Sequence, residues 1–164
     1  PMLIPSDHPL ATVKDSFNAV FVHGDALDDA MFMGRGAGEM PTASAVMGDV
    51  IDVVRNLVHG CSGRVGCSCY KSLPVKPMEE TENRFYLRIL AANRPGVLAG
   101  IASVLGNNGV CIEQVVQRSR SRQAENAELV IITDLVRESG FRDAVTILQA
   151  LSSVREIGSC IRVY

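Results

Sequence analysis

The sequence has 164 residues, of which 47% are hydrophobic and 21% charged, and its formal net charge is −2. This composition is that of an ordinary globular chain that can bury a core. It gives no electrostatic reason to expect nucleic acid as a partner. No apolar run is long enough to cross a bilayer and no secretory signal stands at the start, so we expect no membrane partner either.

The distribution of charge and the number of cysteines indicate the domain organisation and the cellular location. Residues 1–60 contain three basic and eight acidic residues, whereas residues 61–164 contain thirteen basic and ten acidic residues, which indicates two units. Five cysteines are an odd number, which favours reduced thiols and a cytoplasmic location. The sequence begins with Pro1 rather than Met, so we expect a piece of a longer protein.

The first unit, residues 1–60, predicts two strands and one helix. Residues 17–23 and 30–33 have strand composition and are separated by a polar turn. Apolar residues between 43 and 54 recur at the spacing of an amphipathic helix, and Pro41 suits its first turn.

The following residues, 61–83, show no periodicity and are predicted to be a linker. Cys61, Cys67 and Cys69, with His59 as a fourth ligand, would be one way to build a zinc site. Thiols in a linker are the simpler interpretation, so no metal is predicted.

Residues 84–164 alternate strand and helix patterns in the order β-α-β-β-α-β. The predicted elements are strands at 85–91, 110–117, 129–133 and 154–164 and helices at 97–105 and 139–151, the second helix capped by Ser139. This order predicts an α+β, ferredoxin-like domain with a four-stranded antiparallel sheet and both helices on one face. The other face would then be free to pair with a second copy.

Two glycine-containing turns are candidate binding sites. The sequence Gly-Arg-Gly-Ala-Gly at 34–38 leads into a helix, whose first backbone amides and dipole attract polar or anionic groups. Its spacing is not that of the dinucleotide fingerprint, and a tight turn explains it equally well. The sequence Asn-Arg-Pro-Gly-Val-Leu at 93–98 offers free amides that could hold the carboxylate of a small amino acid, or is simply a helix start capped by Asn93.

Other polar groups predict no further chemistry. Arg118, Arg120 and Arg122 could contact phosphates, but acidic residues follow them, and a solvated hairpin loop is favoured. His8 and His23 have no neighbouring nucleophile. The chain is therefore predicted to hold no catalytic residue.

Two stretches together resemble a known family. The segment from His8 to Phe21, followed by the sequence at 34–38 and by Pro-Thr-Ala-Ser-Ala-Val at 41–46, is similar to the end of the homoserine dehydrogenase catalytic domain. The segment from Tyr86 to Ala99 resembles the ACT domain that follows it in many bacterial members. The resemblance divides the chain into the end of a catalytic domain at 1–60, a linker at 61–83 and an ACT regulatory domain at 84–164.

The resemblance implies that the parent protein reduces aspartate semialdehyde to homoserine with NAD(P)H, in threonine and methionine biosynthesis. It places Gly36, Ala37, Gly38 and Glu39 at the nicotinamide end of the cofactor. The dinucleotide-binding domain and the catalytic lysines of the family are missing from this sequence. We therefore expect this chain alone to be inactive and to bind NAD(P) weakly.

The resemblance further implies an effector, usually threonine, held at the interface of an ACT homodimer. The residues that would hold it are Asn93, Gly96, Val97 and Leu98 of one subunit and Ile112 and Gln114 of the other. The common pattern has Asp where this chain has Asn93, which removes a charge that would recognise an ammonium group. Two alternatives are an ACT domain that only pairs subunits and a free-standing sensor, and residues 1–60 disfavour the sensor.

Overall fold

The computed structural model describes residues 1–61, 72–118 and 124–164 and divides the chain into two compact units. One unit comprises Pro5–Leu73, and the other comprises Pro1–Ile4 together with Pro74–Tyr164. The first residues thus lie outside the unit in which the sequence reasoning placed them. The reason is a long-range strand pairing, Met2–Leu3 with the last strand, that no local pattern reveals.

The Pro5–Leu73 unit contains a hairpin and a long helix, as predicted. Its elements are a short 3-10 helix at Pro9–Thr12, strands β2 (Phe17–Gly24) and β3 (Asp28–Arg35), and helix α1 (Glu39–Val58). The strands pair antiparallel from Phe17 opposite Arg35 to Gly24 opposite Asp28. Asp28 has a φ of 52°, a left-handed conformation that Asp tolerates and that permits the tight turn.

This unit has almost no core of its own. Among its described residues only His8 is buried. Helix α1 carries the predicted apolar stripe but has no buried residue. Phe32 on β3 is 67% exposed. An apolar surface of this extent is stable in water only when other protein covers it.

The second unit is the predicted ferredoxin-like domain. Its elements are β1 (Met2–Leu3), a 3-10 turn at Met78–Glu80, β4 (Glu82–Ala92), α2 (Val97–Asn107), β5 (Ile112–Arg118), β6 (Asn126–Thr133), β7 (Val136–Arg137), α3 (Glu138–Ala150) and β8 (Val154–Val163). The sheet order is β1-β8-β4-β6-β5, with β7 beside the start of β4. The four long strands pair antiparallel, whereas the additional edge strand β1 runs parallel to β8.

The core lies between this sheet and its two helices. The buried apolar residues are Phe85, Leu87, Ile89 and Ala91 of β4, Leu129 and Ile131 of β6, Val97, Ile101 and Leu105 of α2, and Phe141, Ala144 and Leu148 of α3. Phe85 and Phe141 stack with ring centroids 3.7 Å apart. The one buried hydroxyl of β6, that of Thr133, accepts a hydrogen bond from the Phe85 amide at 3.0 Å, so it is buried without an unsatisfied acceptor.

Local patterns mislead at two positions. The predicted Ser139 cap is wrong, because α3 begins at Glu138 with Arg137 at the N-cap. Simple alternation along β5 would place Gln114 on the same face as Ile112, but the β5–β6 register shifts between these two residues. The extra residue of this bulge reverses the alternation, so Gln114 lies exposed opposite Ile132, on the face away from the helices.

Candidate functional site

A cleft of about 400 Å³ lies where β4 ends and α2 begins. Its lining residues are Ala91, Ala92, Asn93, Arg94, Pro95, Gly96, Val97, Leu98, Gln117, Ala127 and Leu129. The cleft therefore contains the four residues of one subunit that the sequence predicted, while Ile112 and Gln114 are not in its lining. The contribution of these two residues from a second subunit stays a prediction.

Gly96 shapes the entrance of α2. It is the N-cap residue, with φ 86° and ψ −18°, a left-handed conformation. A Cβ atom at this position would meet nothing within 4 Å, so the backbone angle, not the space, requires glycine. The next amides of the helix, those of Leu98 and Ala99, have no acceptor within the helix and carry its partial positive charge.

Asn93 is the anchor of the cleft, not a helix cap. Its backbone amide donates to the Glu125 carbonyl at 2.8 Å, and its Nδ2 donates to the Ala124 carbonyl at 3.0 Å. Its Oδ1 accepts from Nε2 of Gln117 at 3.3 Å. One side chain thus joins the end of β4, strand β5 and the residues before β6, which fixes the cleft wall.

Gln117 is the residue of the cleft that the sequence reasoning missed. It pairs with Leu129 in the sheet and therefore faces the helices. Simple alternation from Ile112 places position 117 on the opposite face, and only the bulge brings it round. A polar residue at the end of an edge strand was the available signal, but the sequence does not reveal the bulge.

The chemistry of the cleft suits a small anion with an apolar part. Arg94 and the amides at the start of α2 are donors, and no Asp or Glu stands among the lining residues of the described chain. Val97 and Leu129 are buried and supply an apolar wall. Only neutral oxygens, such as those of carboxamides and backbone carbonyls, are available to an ammonium group.

The glycine-rich turn joins β3 to α1. Gly38 is the N-cap of α1 with a φ of 122°, and the Thr42 amide donates to its carbonyl at 3.1 Å. A Cβ on Gly36 would lie 1.7 Å from Nδ2 of Asn18, so a side chain there would displace the Asn18 carboxamide. The two glycines thus differ: Gly38 is favoured by its φ angle, and Gly36 by its close contact with Asn18.

Beside this turn lies an open groove of about 720 Å³, lined by Gly38, Glu39, Thr42, Ala43, Val46 and Met47. The first amides of α1 stand at this groove without helical acceptors. Ala37 belongs to the turn but not to the groove lining. The groove could accept a flat polar group against an apolar helix face.

A third cluster joins α3 to β8. Arg162 donates from Nε and Nη2 to the two carboxylate oxygens of Glu138 at 3.0 and 2.7 Å, and Asn83 Nδ2 donates to Glu138 Oε2 at 3.4 Å. The hydrogen bonds that Arg162 donates to Glu138 raise the pKa of the Arg162 guanidinium. Partial desolvation, reinforced by the Glu138 charge, raises the pKa of the nearby Cys160 thiol. The thiol is thus protonated at neutral pH and unsuited to nucleophilic attack.

The remaining candidates form no site in the described part of the chain. No group of three His, Cys, Asp or Glu side chains there could hold a metal ion. Cys61 is exposed, while Cys67 and Cys69 lie outside the described residues. Arg118 is exposed, and Arg120 and Arg122 also lie outside. No helix of the described ranges is both long enough and apolar enough to traverse a bilayer.

Comparison with known proteins assigns both units. Residues 1–51 match the family model for homoserine dehydrogenase, and residues 85–153 match that for the ACT domain. A homoserine dehydrogenase of Corynebacterium glutamicum is 42% identical over 163 residues, which is 99% of this chain. The chain belongs to the homoserine dehydrogenase family. It corresponds to a C-terminal part that includes the ACT domain.

Other homoserine dehydrogenases agree with this assignment. The enzyme of Synechocystis is 41% identical over 168 residues and 99% of this chain. The crystal structure of a homoserine dehydrogenase from Thiobacillus denitrificans superposes with a TM-score of 0.85 at 34% identity and covers the whole chain. The chain spans only 36% to 38% of the length of these relatives.

Proposed function

We propose that this chain is the C-terminal part of an NAD(P)-dependent homoserine dehydrogenase whose ACT domain binds threonine as a feedback effector. The full-length protein would reduce aspartate semialdehyde to homoserine, in threonine and methionine biosynthesis. The observation that carries the proposal is the presence, in one chain of this family, of the glycine-rich turn and of a formed cleft at the β4–α2 junction. Unpaired, exposed Cys61, Cys111 and Cys160 favour a cytoplasmic setting.

The glycine-rich turn has a positioning role in this proposal. Gly36, Ala37, Gly38 and Glu39 would hold the nicotinamide end of the cofactor through their backbone. Gly36 already packs against Asn18, so nothing but backbone is presented there. The bound cofactor supplies the hydride. The acid–base residues belong to the part of the family that this chain lacks, so we expect the chain alone to be inactive.

The ACT cleft would hold the effector by its carboxylate. The amide of Leu98 and the guanidinium of Arg94 would be the donors, and Val97 would contact the side chain of the effector. The other subunit of a homodimer would add Ile112 and Gln114 from its own β5. Strand β5 is the outer strand of the sheet, so a second copy has access to it.

The alternative is an ACT domain that pairs subunits and binds no effector. One observation favours it: the cleft lacks an acidic side chain that would neutralise an ammonium group. The exposed apolar residues of β5, Val115 and Val116, are compatible with pairing in either case. Both functions predict a dimer, so only ligand binding separates them.

The activity of the full-length enzyme, with and without L-threonine, tests the proposal. We expect NADPH-dependent reduction of aspartate semialdehyde, inhibition by threonine, and loss of this inhibition in Gly96→Val, because valine resists the left-handed angle of the cleft loop. Gly100→Val, in the interior of α2, is the matched control and should keep the inhibition. Full threonine sensitivity in Gly96→Val would contradict the assignment of the cleft as the effector site.

A further inference from the structure

Strand β1 connects the ACT sheet directly to the other unit of the chain. Met2 and Leu3 pair in parallel with Arg162 and Val163 at the end of β8. The Tyr164 amide donates to the Leu3 carbonyl at 2.9 Å. We propose that β1 is the element through which an effector bound in the cleft acts on the catalytic unit, an inference that rests on the proposed effector function.

The connection between β1 and the other unit is very short. Only Ile4 stands between β1 and Pro5, the first residue of the other unit. On the other side, α1 ends at Val58 and the next ACT strand begins only at Glu82. A connection of one residue keeps its two ends close together, whereas the length of chain between Val58 and Glu82 allows a wide range of separations. The β1 connection is therefore the one suited to carry a signal.

Strand β4 and its partner β8 link the cleft to β1. Strand β4 lines the cleft with Ala91 and Ala92 and pairs with β8 along its length. Its pairing with β6 is regular throughout, but its pairing with β8 has two register shifts, at Arg88/Ile89 and Leu90/Ala91. These irregularities lie between the cleft and the part of β8 that holds β1. A β-bulge bends its strand locally, so β8 departs from regular pairing with β4 in this stretch.

Side-chain hydrogen bonds fix the end of β8 that pairs with β1. The Arg162 side chain is held by both oxygens of Glu138, at the start of α3 and largely buried. Asn83 of β4 contacts the same carboxylate at 3.4 Å. The residue that pairs with Met2 is thus fastened to a helix and to the central strand. A displacement of β4 is therefore passed on to β1 at this point and not lost in a frayed end.

The test uses the full-length enzyme and proline substitutions that remove one hydrogen-bond donor. Leu3→Pro removes the amide of β1, and Tyr164→Pro removes the amide that donates to Leu3. Leu3→Ala and Tyr164→Ala keep the backbone and serve as matched controls. For each protein, L-threonine binding is measured by calorimetry, inhibition by enzyme assay, and detachment of β1 by hydrogen exchange at the Arg162 amide, which lies on the same side of β8 as the Tyr164 amide.

We expect both proline variants to bind threonine with the wild-type dissociation constant and to lose inhibition, while the alanine variants keep both. Retained inhibition in a proline variant whose Arg162 amide exchange shows β1 detached would overturn the proposal. Absence of threonine heat in the wild-type enzyme would overturn the effector function itself and this inference with it. The two failures are distinct, because the second already shows in the unmodified protein.

Discussion

At the scale of the residue, one backbone angle decides what can stand at position 96. Gly96 has a φ of 86° with open space around its missing side chain, so its requirement is conformational. We predict that Gly96→Ala lowers the free energy of unfolding by about 1–2 kcal/mol, the cost of a left-handed alanine. Gly100→Ala, inside α2 with equal free space, should raise it by about 0.5–1 kcal/mol. Urea denaturation of both variants measures this, and equal effects would contradict it.

The Cys160 thiol is a second residue-scale case. Its raised pKa means that the folded state prefers the protonated thiol. Stability should therefore fall as the pH rises from the ordinary thiol pKa toward the raised one, because the unfolded chain ionises first. We predict that Glu138→Gln lowers the midpoint of the Cys160 alkylation-versus-pH profile, since it removes a negative charge and leaves Arg162. Site-resolved mass spectrometry measures the alkylation of Cys160, with exposed Cys111 as the internal control. An unchanged midpoint would show that the Glu138 charge does not raise the pKa of Cys160.

At the scale of the element, the start of α3 depends on a buried ion pair instead of a capping side chain. The Glu138 side chain is only 9% exposed and is bound by Arg162 at both oxygens. Glu138→Ala removes the charge-assisted hydrogen bonds to Arg162, whose side chain stays 30% exposed, so we predict a loss of about 1.5–3 kcal/mol of unfolding free energy. The exposed pair between Arg142 of the same helix and Glu79 of the 3-10 turn is the control, and Glu79→Ala should cost less than about 1 kcal/mol. Similar losses in the two variants would be inconsistent with this account.

The elements also show what a sequence can and cannot predict. The order of strands and helices in the ACT domain was predictable, because each element carries its own period and its own turn residues. The cleft residues 93–98 were predictable for the same reason, since they are contiguous at a strand-to-helix turn. The bulge in β5 turns Gln114 away from the helices and brings Gln117 to the side of the cleft. This bulge and the pairing of β1 with β8 depend on contacts between distant segments. No local pattern encodes such contacts.

At the scale of the whole molecule, the two units differ in their ability to fold alone. Every buried apolar residue of the described chain lies between Phe85 and Leu148. We predict that residues 74–164 unfold cooperatively as an isolated domain. Residues 5–73 should show no cooperative transition and should bind a hydrophobic dye, because the apolar stripe of α1 has no cover. Thermal melts followed by circular dichroism test both, and a cooperative melt of a monomeric 5–73 peptide would contradict the second.

The central claim is that the ACT domain of this homoserine dehydrogenase family member holds an amino-acid effector in the β4–α2 cleft. Calorimetric titration of L-threonine into the purified chain tests it most directly, with L-serine, L-methionine and L-homoserine as comparisons. The account predicts saturable heat with threonine that disappears in Gly96→Val. No heat from any of the four amino acids, with the chain dimeric in solution, would contradict it and leave an ACT domain that only pairs subunits.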